Sequence, residues 1–175
     1  MSYVFEISAM KHRVAHALLG AVLAVIGASE AAGELPGSAA PDFVLKSVTG
    51  ENLRLSEYRG RVVMLSFWAS WCGECRSQLA ALAQMYDSYS SAGFEVLAVS
   101  LDTSPKRIAD TARAANAAYP VLHDAGGEIG RMYDVSSVPL VVLIDRDGVV
   151  RDVFTGYRRG GEEEYLARAR ELLNE

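Results

Sequence analysis

Cys72 and Cys75 are the only cysteines in the 175-residue sequence, and two residues separate them in Trp68-Ala69-Ser70-Trp71-Cys72-Gly73-Glu74-Cys75-Arg76. A thiol reacts as its thiolate, and the first turn of a helix favours negative charge through its unpaired N–H groups and dipole. The spacing predicts Cys72 at or just before such a turn, with Cys75 one turn further in. Both sulfurs then lie on one side of the helix, within disulfide reach. The chemistry that follows is thiol–disulfide exchange: Cys72 attacks a partner's disulfide, and Cys75 breaks the mixed disulfide. A Cys-x-x-Cys beside a βαβ pattern is a redox signal. The competing reading is a structural disulfide or two buried thiols. A staple, however, gains more from closing a long loop than from bridging neighbouring turns.

The flanking elements must place that pair. Val62-Val63-Met64-Leu65-Ser66-Phe67 is an apolar run of the length of a buried parallel strand. After the pair, Leu79, Leu82, Ala83, Tyr86 and Tyr89 recur at helical spacing and stop at Gly93, which predicts an amphipathic helix. Phe94 to Ser100 reads as a second buried strand. Ser104 as N-cap and Pro105 at N1 then open a helix to about Ala117, with Ile108, Ala112 and Ala115 on one face. Tyr119–His123 reads as a short strand, 128–133 as a short helix, Val141–Ile144 as a buried strand and 149–156 as an alternating edge strand. The last helix carries Tyr165, Leu166, Ala169, Leu172 and Leu173 on its buried face. Upstream, 43–48 and 52–55 form a hairpin through a Gly50-containing turn, and Ser56 caps a helical turn ending at Gly60. Alternation of this kind implies α/β architecture, a mixed sheet with helices on both faces.

Composition fits one globular domain, with 50% hydrophobic residues, 22% charged residues and a net charge of −5. The acidity argues against nucleic acid as a partner. Two cysteines are too few for a secreted disulfide scaffold, so they read as reagents. Residues 1–31 read as an export signal: basic Lys11-His12-Arg13, apolar Val14 to Ala28, then Ser29-Glu30-Ala31 as a small-x-small cleavage site. About fifteen apolar residues fall short of the roughly 20 a spanning helix needs. That favours cleavage near Ala31 over a retained anchor, and Met10 offers a tidier start than Met1. Any membrane contact runs through this segment alone. Residues 32–40 read as a flexible leader to a domain over 41–175.

The segment Phe67-Trp68-Ala69-Ser70-Trp71-Cys72-Gly73-x-Cys75 resembles the active site of thioredoxin-fold proteins, and more narrowly that of exported TlpA/ResA-type thiol–disulfide oxidoreductases. Pro41-Asp42-Phe43, Gly50, Leu55 to Gly60 and Val138-Pro139 extend the resemblance over 38–175. It implies a thioredoxin fold, a central mixed sheet flanked by helices, with an N-terminal β-hairpin and an inserted helix–strand over 104–123. It also implies that Pro139 is cis and faces the cysteines, and that the Val138 backbone pairs with an incoming peptide as an added strand. Trp71, Gly73 and Glu74 complete the expected substrate-binding set, with Trp68 as core. The resemblance implies no cofactor or metal beyond the redox-active Cys72–Cys75 disulfide, a protein disulfide as substrate, and a membrane thiol reductant as electron donor. Its candidate targets are apocytochrome c, copper-centre assembly proteins or a general pool of oxidised thiols, in the periplasm or another exported compartment.

Three departures stand out. Glu74 replaces the usual proline and should oppose thiolate formation at Cys72, with Arg76 pulling the other way. Ser66 falls where thioredoxins carry a buried aspartate. Gln78 falls where TlpA/ResA-type proteins often carry a glutamate. Both usual carriers of the Cys75 proton are absent, which leaves water, Glu74 or the partner to serve. Two other functions compete. A thiol peroxidase shares the Pro41–Gly60 stretch, but Leu65 and Ala69 occupy the offsets where peroxiredoxins place Pro and Thr or Ser. A copper-binding metallochaperone would use Cys72, Cys75 and His123 as soft ligands, although copper chaperones of this fold have wider cysteine spacing.

Overall fold

The computed structural model describes residues 35–175; the expected signal segment 1–31 and residues 32–34 of the expected leader lie outside the described residues. The chain forms β1 (Val44–Lys46), β2 (Asn52–Arg54), β3 (Val62–Trp68), α1 (Gly73–Tyr89), β4 (Phe94–Ser100) and α2 (Pro105–Ala114). It continues with β5 (Val121–His123), α3 (Glu128–Met132), β6 (Leu140–Ile144), β7 (Val150–Thr155) and α4 (Glu162–Leu173). β1 and β2 make the expected antiparallel hairpin, with Gly50 in its turn at φ 98°. The other strands form one mixed sheet in the order β5-β4-β3-β6-β7, with β3, β4 and β5 parallel and β6 and β7 antiparallel to their neighbours.

All seven residues of β3 and all seven of β4 are buried, as expected of largely apolar runs in central strands, and the burial extends to Ser66, Glu95 and Ser100 within them. Their side chains alternate between two cores. Val62, Met64, Trp68, Val96, Ala98, Val141 and Leu143 pack with Leu79 and Leu82 of α1, Ile108 of α2 and Tyr165, Ala169 and Leu172 of α4. Val63, Leu65, Phe67, Leu97, Val99, Val142 and Ile144 pack with Phe43, Leu55, Ile129 and Tyr133. Three helices therefore cover one face, while α3 and the hairpin region cover the other.

The chain departs from expectation at several points. The leader is tied down from Leu35 onward. Gly37 N–H donates to the Val150 carbonyl at 2.7 Å, Val150 N–H to Ser38 at 2.9 Å and Ala40 N–H to Gly148 at 2.9 Å. This stretch satisfies backbone groups at the start of edge strand β7 that would otherwise be open. Ser56 does not cap the turn at Leu55–Tyr58. Its N–H and hydroxyl donate instead to the Asp42 carboxylate at 2.9 and 3.1 Å. Ser104 sits at the N-cap of α2 without a side-chain capping bond. That helix ends three residues early, where Asn116 turns left-handed at φ 54°. Gly93 takes φ 95° and ends the turn that follows α1, a conformation that favours glycine.

Candidate active site

β3 ends at Trp68, and a short turn through Ala69, Ser70 and Trp71 delivers the chain to α1 with Cys72 as its N-cap. Two backbone bonds set that turn, Leu101 N–H to the Trp68 carbonyl at 2.9 Å and Cys72 N–H to the Ala69 carbonyl at 3.1 Å. A side chain reinforces them. The Asp102 carboxylate, 2% exposed, accepts from Ser70 N–H at 2.6 Å, the Ser70 hydroxyl at 2.7 Å and the Ser100 hydroxyl at 3.1 Å. Sequence reasoning passed over Asp102, since a lone aspartate after a strand carries no signal of its own.

Cys72 and Cys75 are joined as a disulfide. The Cys72 sulfur accepts from the Cys75 N–H at 3.1 Å, one of the donors that a helix start leaves unpaired. In the dithiol form the same donor stabilises a thiolate at Cys72 over the thiol. Cys75 is wholly buried, whereas Cys72 keeps 8% exposure. The order of access is as expected, but Cys72 is far more covered than a freely exposed nucleophile. The cause is the opposing loop: the Val138 carbonyl oxygen lies 3.7 Å from the Cys72 sulfur, and the Val138–Pro139 bond is cis. Among the described residues neither N–H nor carbonyl of Val138 has a backbone hydrogen-bond partner.

Trp71 is 68% exposed and Trp68 fully buried, so the two tryptophans divide as surface and core. Gly73 and Glu74 are exposed, and a Cβ built on Gly73 would meet nothing within 4 Å. Glu74 lines a cavity of about 580 Å³ with Phe154, Gly156, Tyr157, Glu164 and Tyr165. His123 is not drawn into a ligand set. Its Nε2 lies 2.8 Å from the Asp102 carbonyl oxygen, and the described residues contain no group of three His, Cys, Asp or Glu side chains placed to hold a metal ion.

The two positions that lack carboxylates are filled by a neutral chain of hydrogen bonds. Ser66 Oγ donates to Gln78 Oε1 at 3.0 Å, Gln78 Nε2 donates to the Tyr165 hydroxyl at 3.1 Å, and that hydroxyl donates to the Gly156 carbonyl at 3.3 Å. Ser66 and Gln78 are both 0% exposed, and burial raises the Tyr165 hydroxyl above its ordinary pKa, keeping it protonated. Sequence reasoning placed Tyr165 only in the core. Gln78→Glu would set a carboxylate one turn beyond Cys75, with Ser66 and a reoriented Tyr165 as donors. The expected result is about tenfold faster release of a mixed disulfide near neutral pH, with a new ionisation in its pH profile. Superimposable pH profiles in single-turnover measurements would count against a proton-carrying role at this position.

A cysteine pair delivered by a central strand to a helix start, with a cis-proline loop against it, defines a thioredoxin-fold thiol–disulfide oxidoreductase. Similarity to known proteins agrees. Residues 36–153 match the AhpC/TSA family. The thiol-disulfide oxidoreductase ResA of Geobacillus kaustophilus is 35% identical over 120 residues, 69% of either chain. ResA of Bacillus subtilis is 34% identical over 120 residues, 69% of this chain and 67% of that one. A Chlorobium tepidum crystal structure assigned as a thiol:disulfide interchange protein DsbE superposes with a TM-score of 0.75 at 37% identity, covering 79% of this chain and 97% of that one. The chain belongs to the AhpC/TSA family, and within it to the ResA-type thioredoxin-like thiol–disulfide oxidoreductases.

Proposed function

We propose that this protein reduces disulfides of partner proteins in an exported, oxidising compartment, with Cys72 as the attacking thiolate and Cys75 as the resolving thiol. The observation that carries this reading is the Cys72 sulfur at the start of α1, 3.1 Å from the Cys75 N–H and more exposed than its partner. In the first step the Cys72 thiolate attacks one sulfur of the partner's disulfide. The other leaves as a thiolate and takes a proton. In the second step Cys75 loses its proton and attacks the Cys72 sulfur. The partner's second thiol is released, and the Cys72–Cys75 disulfide forms. Two electrons and two protons pass to the partner. A thiol reductant at the membrane returns them to the cysteine pair.

The N–H and carbonyl of Val138, neither bonded to other backbone, hold the partner's extended chain as an added strand, with Pro139, Trp71, Gly73 and Glu74 around it. The basic, apolar and small-x-small order of residues 1–31 supports export. Maturation of c-type cytochromes or copper centres is the task we favour. The reduced protein should catalyse reduction of insulin disulfides, and a Cu(I) titration of the same preparation should give no tight stoichiometric site. Tight stoichiometric copper without reductase activity would reverse the assignment to a metal carrier.

A further inference from the structure

Beside the cysteine pair, a groove of about 360 Å³ runs between α1 and α2, lined by Ser70, Trp71, Arg76, Arg107, Asp110 and Thr111. With two arginines against one aspartate its charge is positive, opposite in sign to the chain as a whole, whose net charge is −5. Asp110 is already held by Lys106 at 2.6 Å and Arg113 at 3.1 Å, both on its own helix. Arg76 and Arg107 are exposed, and among the described residues neither has a carboxylate partner. Trp71, 68% exposed and adjacent to Cys72, supplies a large amphipathic surface of the kind that anchors protein contacts. Glu74 faces a different cavity, so nothing acidic from within the Cys-x-x-Cys segment lines this groove.

We propose that this groove is a docking site for an acidic segment of the partner protein, and that Trp71, Arg76 and Arg107 select substrates whose reactive cysteine is flanked by Asp or Glu. The inference rests on the reductase reading above and adds the chemistry of the partner to it. An acidic side chain near the partner's cysteine would meet a guanidinium while the backbone lies against Val138. Arginine suits this role because its planar fork accepts a carboxylate on two N–H groups. Opposite charges at the rim also speed encounter, and salt screens that gain.

The test uses two disulfide-bonded peptides of equal length, one with Asp and Glu around its cystine and one with Asn and Gln. Second-order rate constants for their reduction by the dithiol protein are compared. Exposed ion pairs are each worth roughly twofold to fivefold, so two arginines should favour the acidic peptide by about fourfold to twenty-fivefold at low salt. The preference should vanish near 1 M NaCl and in the Arg76→Gln/Arg107→Gln double variant. It should persist in Lys46→Gln, which removes one exposed charge on β1. Equal rates for the two peptides, or a preference that survives the double arginine substitution, would overturn the groove and leave the reductase reading standing. Failure to reduce either peptide would overturn both.

Discussion

Cys75→Ser should accumulate a covalent complex with the partner protein, whereas Cys72→Ser should accumulate none and lose reductase activity by about 10³-fold or more. The asymmetry follows from position. Cys75 is wholly buried and Cys72 keeps 8% exposure, so an incoming disulfide meets the Cys72 sulfur first. That sulfur also holds the better electrostatic position, as the N-cap of α1 with the Cys75 N–H aimed at it from 3.1 Å. Removing Cys72 leaves a thiol inside the helix with no path to the partner. Removing Cys75 leaves the attack intact and the mixed disulfide with no neighbour to break it. The serine hydroxyl that replaces it is too weak an acid to attack as an alkoxide at neutral pH. Non-reducing electrophoresis of material from the native compartment, with mass spectrometry of the bands, reads both outcomes. Equal trapping by the two variants would mean that either sulfur can lead, and the assigned roles would fall.

The parts of this site that were legible in the sequence share a property: each is encoded within a few consecutive residues. β3 and β4 are long apolar runs, buried at every position, and the observed β4 coincides with the apolar run. The start of α1 and the side-by-side cysteines follow from spacing alone. The cis bond at Pro139 follows only from resemblance, because X–Pro bonds are usually trans and nothing local to Val138-Pro139 marks the exception. What the sequence hid depends on partners far apart in the chain. Ser66 and Gln78 read as missing carboxylates, yet they bond to each other and onward to Tyr165, 87 residues beyond Gln78. Polar residues inside apolar runs show that a partner is needed without naming it. Likewise Ser56 has the composition of a helix cap but serves Asp42, 14 residues earlier. The leader, with Gly33, Pro36 and Gly37, has the composition of a loose segment, and only the register of β7 shows why part of it is held.

Asp102 is the clearest of these hidden contacts, and Asp102→Ala should lower stability by about 2–3 kcal/mol, or roughly 5–10 °C in Tm. The carboxylate takes three donors, and one of them, the Ser100 hydroxyl, belongs to a residue that is 0% exposed. Alanine leaves that hydroxyl and the Ser70 N–H without their acceptor, which costs more than the net worth of the lost bonds. Some of the loss is offset because a buried charge leaves with the side chain. Asp102→Asn keeps one oxygen acceptor and can donate to Ser100, so it should fall between alanine and the native protein. The effect should also be local. Ser70 precedes Trp71 and Cys72 in the turn, so its release loosens the alignment of the Cys72 sulfur with the Cys75 N–H. Amide hydrogen exchange at Ser70 and Trp71 should accelerate beyond the global change, while β3 amides follow only the loss of overall stability. Should exchange at Ser70 and the Tm both stay at native values, the bonds from Leu101 to Trp68 and from Cys72 to Ala69 hold the turn by themselves. The carboxylate would then have no part in presenting the cysteine.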